Sequence, residues 1–395
     1  MMDDSSGGMN AALRRATQIV RTGLDPAGFH GFVNPPVVHA STVVYPDVEA
    51  TIQRTMKYGY GRSGSPAVDA LEAIVNELEG AERTVLAPTG LAACALALAA
   101  VVKAGDRVLA FDNVYDPTRE FCAGFLSRFD VETVFVDPLN LDAIAAKLAT
   151  PTAAFFLEAP GSLTFEMPDI PRICEMAKAA GAVTIMDNTW ATPVFFQPWA
   201  HGVDLSIQAA TKDFAGHSDL LLGTIAGRGK HIRNVRRCWN QWGMHVGPED
   251  VYLTLRGMRT LDVRLERHAR NTRRVAEWLS AQPELDKVLY PALPDAPGHH
   301  IWKRDFTGAT GLFGITFKGV PAKRVHAFVE GLRLFPIGNS WGGFQSLVQV
   351  PQVTRYRSAT QWPEDTHVVR LNIGLEDPVD LIEDLDQSLR TTFRT

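Results

Sequence analysis

The chain has 395 residues, 46% of them hydrophobic and 21% charged, with a formal net charge of −5. These proportions exclude a disordered or fibrous chain, and the length calls for more than one packed unit. The longest basic run, Lys230 to Arg237, is broken by Ile232, Asn234 and Val235 and reads as a solvated helix face, so no nucleic-acid partner is expected.

Residues 1–10 carry Asp3 and Asp4 and no basic stretch ahead of an apolar one. They read as a floppy tail rather than a secretory signal. Residues 11–65 are punctuated by Asn34-Pro35-Pro36, Tyr45-Pro46, Gly59, Gly61 and Gly64. Their weak apolar period predicts an extended arm that packs on something else.

Residues 66–255 have a different texture. Val68, Leu71, Ile74, Val75 and Leu78 mark one helix face, closed by Gly80. Strands are predicted at Arg107–Phe111, Glu132–Val136, Ala153–Leu157, Ala182–Met186, Leu205–Ala209 and Leu222–Ala226. Helices are predicted at Leu91–Val102, Asp116–Ser127, Leu141–Leu148 and Asp169–Ala180. Continuous apolar strands alternating with amphipathic helices give an α/β unit with a mostly parallel sheet covered on both faces. Residues 256–395 begin with a long charged helix, Leu261 to Ser280. Strand-like Lys287–Tyr290, Leu312–Phe317 and Val368–Ile373 follow, then a helix from Pro378 to about Leu389, which together predict a smaller α+β domain.

The most apolar stretch, Ala92–Val102, falls short of the about 18 residues needed to cross a bilayer, so no membrane association is expected. Cys94, Cys122, Cys174 and Cys238 are widely spaced with no CxxC, which suits buried small hydrophobes in a reducing cytoplasm. His299-His300 reads as a surface pair in a strand or loop, and no metal site is expected.

Chemistry is legible at four places. Ala182-Val-Thr-Ile-Met-Asp187 ends an apolar strand in an acid, where α/β sheets place ligands. Ala210-Thr211-Lys212 follows the next strand, so the two side chains converge at one rim. An Asp facing a protonated pyridine nitrogen and a Lys whose amine condenses with an aldehyde are the minimal pair for pyridoxal phosphate (PLP) chemistry. Pro88-Thr89-Gly90-Leu91 opens a helix whose first amides suit a phosphate. Tyr58-Gly-Tyr60-Gly-Arg62 places an aromatic and a phosphate-binding guanidinium in the arm. No Gly-x-Gly-x-x-Gly follows the first strand, which excludes a nicotinamide dehydrogenase.

Together these elements resemble the PLP-dependent enzymes of cysteine and methionine metabolism. The family's lysine motif stands as Thr211-Lys212-Asp213-Phe214-Ala215-Gly216-His217-Ser218-Asp219. Glu158-Ala-Pro-Gly161-Ser162, Asp187-Asn-Thr-Trp190, Trp302-Lys-Arg-Asp-Phe-Thr307, Ser340-Trp341-Gly-Gly343 and Arg370-Leu-Asn-Ile-Gly-Leu-Glu376 are similar to the family's bacterial cystathionine β-lyase branch. Many γ-specific relatives have Asn where Ser162 stands and Leu where Trp341 stands.

The resemblance implies a seven-stranded-type sheet of the PLP-dependent transferase fold. It also implies a homo-oligomer, at least a dimer and on this reading a tetramer. By the same resemblance, Lys212 holds the cofactor and moves the Cα proton, and Asp187 keeps the pyridine nitrogen protonated. Gly90, Leu91 and Thr211 hold the phosphate; Tyr60 and Arg62 reach the phosphate of a neighbouring subunit. Tyr115 stacks on the ring and, with Lys212 and Tyr60, counts as catalytic, while Ser340, Trp341 and Arg370 line the substrate side. The implied substrate is an amino-acid thioether, L-cystathionine, cleaved to homocysteine, pyruvate and ammonia. A γ-lyase or a lyase of cysteine and its S-conjugates is the runner-up, and a non-catalytic binding protein of the same fold is the reading from another class.

Departures from the family pattern are Asp213, where an aromatic residue is usual and a solvent-facing side chain is expected here, and Ala209, where some relatives have a phosphate-binding Ser. Gln345 replaces a usual Glu, and Ala67 a usual Thr. His217 reads as structural, and Trp190 suits core and pocket wall equally.

Overall fold

The computed structural model describes residues 13–394; the expected tail, residues 1–10, and the first two residues of the expected arm lie outside them. Seven strands form the larger sheet: β1 (Arg83–Ala87), β2 (Arg107–Phe111), β3 (Glu132–Val136), β4 (Ala154–Glu158), β5 (Val183–Asp187), β6 (Leu205–Gln208) and β7 (Gly223–Gly227). Their order is β1-β7-β6-β5-β4-β2-β3. Neighbours from β3 through β6 pair in parallel, and β7 runs against both β6 and β1.

The interior strands are buried almost throughout because helices cover both faces. This explains why they read in the sequence as unbroken apolar runs. β1 escapes such a reading: Arg83 and Thr84 give its five residues a polar start. The helix predicted over Asp116–Ser127 forms only to Glu120 and continues as a wider turn, Phe121–Phe125, and a tighter one, Leu126–Phe129.

The smaller sheet comprises β8 (Lys287–Leu289), β9 (Leu312–Lys318), β10 (Leu347–Gln349) and β11 (Thr366–Asn372), antiparallel in the order β10-β11-β9-β8. The Leu261–Ser280 helix buries Leu261, Leu265, Val275 and Leu279, as its period predicts, but also Arg264, His268 and Asn271. Those polar groups bond the main chain of both regions. Arg264 reaches Asp213 O, His268 Nδ1 pairs with Ile373 O, and Asn271 donates to Gly374 O and Glu376 O. The helix therefore fixes the lysine turn relative to the chain that leaves β11.

The arm contains two short helices, Arg15–Arg21 and Val48–Gln53, and little other regular structure. Its start is fastened where Arg259 donates to the carbonyls of Ile19 and Thr22. Beyond that point Phe32, Val44, Val48 and Ile52 are exposed, with Val44 at 84%. His299 and His300 lie on a helix, His299–Asp305, rather than in a strand or loop. The reason is Gly298, which turns the chain at φ +77°, while His299 Nδ1 pairs with Pro291 O at 2.9 Å. No cluster that could hold a metal occurs among the described residues, and no helix among them is long and apolar enough to cross a membrane.

Candidate active site

The carboxyl ends of the parallel strands and the edge of the smaller sheet enclose a cleft of about 720 Å³. Gly90, Leu91, Tyr115, Asp187, Thr211, Lys212, Ser340, Trp341 and Arg370 all line it. Tyr60 and Arg62 do not; they lie elsewhere on the same chain, with Arg62 in a depression beside Trp239 and Arg236. The side chains expected in one site therefore divide into nine within the chain's own cleft and two outside it.

Asp187 is the last residue of β5 and stands level with Glu158 of β4. Its Oδ1 accepts from the Thr189 amide at 2.9 Å and the Thr189 hydroxyl at 2.5 Å. Among the described residues its Oδ2 has only the Cys94 thiol, at 3.9 Å. Burial pushes the carboxyl up, with the Thr189 bonds and Lys212 opposing. A cation entering the cleft restores the charged form, which fits a protonated pyridine nitrogen.

Lys212 sits in a tight turn closed by Gly216 N to Lys212 O at 2.8 Å. Gly216 has φ +72°, and a Cβ there would stand 2.1 Å from Arg264 Nη1, so both backbone and space require glycine. Lys212 Nζ donates to Ser340 Oγ at 2.6 Å and lies 5.6 Å from the centre of the Trp341 ring. Burial and the nearby Arg370 pull its amine down to about 8, against the pull of Asp187 and Asp213.

Arg370 is on β11 opposite Gly314 and Gln349. It donates to Ser340 O at 3.1 Å, and burial lowers it to about 10, where it stays a cation at neutral pH. Two residues on, Asn372 accepts from Gly342 N and donates to Gln345 O. One strand therefore presents the guanidinium and ties down the 340–345 loop. Ser340 itself is held at φ +85°, a backbone conformation that is sparse for a residue other than glycine.

Thr89 caps the Gly90–Val101 helix by accepting from Ala92 N at 3.0 Å. The amides of Gly90 and Leu91 precede that bond at the positive end of the helix and face the cleft wall. A Cβ on Gly90 would stand 2.6 Å from Ala209 Cβ, so glycine is required for the close approach. Ala209 brings no hydroxyl to this corner. The Thr211 hydroxyl already donates to Leu222 O and accepts from Leu222 N, at 3.3 and 3.1 Å.

Glu158 enters the sequence reading only within a motif and is given no role there. Its Oε2 accepts from the Tyr115 amide at 2.7 Å and so sets the start of the loop that carries the half-exposed ring. Burial and the adjacent Asp187 push this carboxyl well up. Its position at a strand end, level with the aspartate, was the available signal.

One expectation is corrected and one open reading is settled. Asp213 does not face solvent; it is buried at 2% exposure, because the turn folds its side chain under the chain rather than outward. Trp190 resolves as core: it is buried, and Nε1 donates to Leu312 O at 2.9 Å. The cysteines are buried apart from the half-buried Cys238. His217 Nδ1 pairs with Ala215 O, a structural role.

The weakly bonded Asp187 Oδ2, the lysine amine with a lowered proton affinity, the helix end and the guanidinium all face one space of cofactor-plus-substrate size, and they fit PLP. The family of Cys/Met metabolism PLP-dependent enzymes matches residues 16–390. The cystathionine beta-lyase MetC of Escherichia coli is 38% identical over 388 residues, covering 94% of this chain and 96% of its own. A Rhizobium johnstonii protein, provisionally named a cystathionine beta-lyase, is 45% identical over 391 residues, 98% of both chains. The crystal structure of a cystathionine gamma synthase from Xanthomonas oryzae superposes with a TM-score of 0.90 at 31% identity, over 97% of this chain and 99% of that one. The chain belongs to the Cys/Met metabolism PLP-dependent enzymes, and its cofactor is pyridoxal phosphate.

Proposed function

We propose that the chain is a carbon–sulfur β-lyase that cleaves L-cystathionine, with consumption of one water, to homocysteine, pyruvate and ammonia. The observation that carries the reading is the single wall formed by Lys212, Ser340, Trp341 and Arg370. It ties a basic amine and a guanidinium suited to a carboxylate to the same residue, Ser340, beside an aromatic ring. Bound PLP supplies an electron sink for the charge left at Cα.

The chain's own groups supply the rest. Gly90 and Leu91 amides hold the phosphate, joined by Thr211 when its hydroxyl turns from Leu222. Asp187 would hold the proton on the ring nitrogen, and Tyr115 would lie against the ring. Arg370 grips the substrate α-carboxylate through two parallel hydrogen bonds and fixes the Cα–H bond toward Lys212. With an amine lowered to about 8, Lys212 has a usable neutral fraction near neutral pH and takes that proton at Nζ. The Ser340 hydroxyl steadies Nζ in the position from which it does so.

β-Elimination needs one proton removed at Cα, whereas γ-elimination needs a second at Cβ. Trp341 and Ser162, both on the cleft wall, support the β reading. The likeness to a gamma synthase supports the runner-up, cleavage on the γ side. Incubation with L-cystathionine and identification of the keto acid separates them. Pyruvate is expected, and 2-oxobutyrate as the main product overturns the β assignment. We further infer a homo-oligomer acting in the cytoplasm, with Tyr60 and Arg62 completing a second subunit's site; their position outside the chain's own cleft supports this.

A further inference from the structure

The turn after Lys212 holds an acid that the proposed chemistry does not use. Asp213 is 2% exposed, and neither carboxylate oxygen has a hydrogen-bond partner among the described residues. An unpartnered carboxylate in such a place is costly when ionised. An aromatic side chain, usual at this position in the family the chain resembles, carries no such cost.

Charged groups face Asp213 from two elements: Lys212 on its own turn and Arg264 on the Leu261–Ser280 helix. Arg264 spends its donors on oxygens other than that carboxylate. Nη1 bonds Asp213 O at 2.6 Å, Nη2 bonds Gly257 O at 2.7 Å and Phe214 O at 3.3 Å, and Nε bonds Thr260 Oγ1 at 3.2 Å. The loop that covers the turn from the smaller sheet, Ser340–Gly343, has no charged side chain, and a Cβ at Gly342 would stand 2.9 Å from Asp213 N. His268, further along the same helix, is pulled down to about 4 by burial and stays neutral. Lys212 is itself faced by Arg370 and Asp187. Of the described groups acting on Asp213, the one that titrates in the neutral range is therefore the lysine amine.

We propose that Asp213, buried beneath the lysine turn with neither carboxylate oxygen bonded, is a positioning residue that sets the proton affinity of Lys212. Burial pushes Asp213 up to about 7, against Arg264 and Lys212, while Lys212 is pulled down to about 8. Each group acts on the charge of the other, and sites that interact in this way titrate as a coupled pair. Ionised Asp213 favours the ammonium at Lys212. Once Asp213 takes a proton that support is gone, so the neutral amine persists to lower pH than beside a permanently charged acid.

This inference rests on Lys212 as the cofactor-bearing lysine. The test is the visible absorption of the holoenzyme against pH, for the wild type and Asp213→Asn, with borohydride trapping to place the chromophore. In Asp213→Asn the midpoint of the Lys212-linked transition is expected to fall by about one unit, because an opposite charge has been removed. The wild-type curve takes two coupled steps and the variant one. An infrared difference spectrum of the wild type should show a protonated-carboxyl band that titrates with the visible change and is missing in the variant. Superimposable visible titrations overturn the proposal. Should Asp213→Asn fail to hold cofactor, the wild-type infrared band decides alone, and its absence overturns the proposal. Trapping at a residue other than Lys212 overturns both this inference and the lysine assignment; trapping at Lys212 with unchanged titration sinks only the role of Asp213.

Discussion

Arg370 and Lys212 both bond Ser340, one through its carbonyl and the other through its hydroxyl. The residue proposed to anchor the amino acid and the residue proposed to move its proton are thus held to a common point, and a change at one is felt at the other. Replacing Arg370 by Lys keeps the charge but removes the planar fork, which an ammonium cannot reproduce on a carboxylate. Breaking a desolvated, charge-assisted pair costs ~2–5 kcal/mol, so kcat/KM for L-cystathionine should fall by roughly 30-fold to several thousand-fold. Cofactor absorbance should persist, because the proposed phosphate contacts lie on other elements. An unchanged kcat/KM removes Arg370 from the substrate site, and joint loss of cofactor and activity assigns it a structural role.

At the scale of elements, the site is a meeting of one helix end, two strand ends and one loop of the smaller sheet. The helix end is the most constrained of these, since Gly90 abuts Ala209 with no room for a Cβ. Gly90→Ala should push the helix away from the β6 exit and take its first amides out of register with a phosphate. Overpacking costs roughly 1–3 kcal/mol, so the Kd for PLP, measured by titrating apoenzyme, should rise by about tenfold or more. Adding Ala209→Gly removes the obstructing methyl and should restore most of the affinity. A Kd indifferent to Gly90→Ala counts against the helix end as the phosphate cradle.

The same elements show what a sequence discloses. β2 and β3 match their apolar runs end for end, as does the Leu261–Ser280 helix. Asp187 and Lys212 are legible because each closes or follows a buried strand at the rim where ligands bind. Arg264 and His268 were hidden because the helix period marks which face is buried but not that a buried face carries polar groups for someone else's carbonyls. Asp213 was misread for a related reason. A charged residue is exposed by default, and only the three-dimensional closure of the turn on Arg264 and the Ser340–Gly343 loop puts it underneath. β10 has three residues and owes its existence to pairing with β11, a contact remote in sequence.

On the scale of the whole molecule, the arm is the part that the single chain leaves unexplained. Its apolar side chains Phe32, Val44, Val48 and Ile52 face solvent, and Tyr60 is 52% exposed. Arg62 has a buried Nη1 without a partner among the described residues, although its guanidinium lies 5.6 Å from the Trp239 ring. A surface of this kind is stabilised when a second copy covers it, and two-fold symmetry then gives each site an arm from the other subunit. On that reading Lys212→Ala destroys the site on its own subunit, whereas Arg62→Ala impairs the site across the interface. A hybrid of the two variants therefore has one site with both defects and one with neither. Random re-pairing of an equal mixture makes about half of the dimers hybrids, each with one intact site of two, so activity should recover to about a quarter of wild type. The measurement is pyruvate release after the two inactive variants are mixed under conditions that allow subunits to exchange, with the unmixed variants as baseline. Recovery requires that Lys212 and Arg62 act in the same site from different chains. If no ratio of the two exceeds the parents while labelled subunits demonstrably exchange, the arm serves its own chain and the exposed apolar face has another occupant.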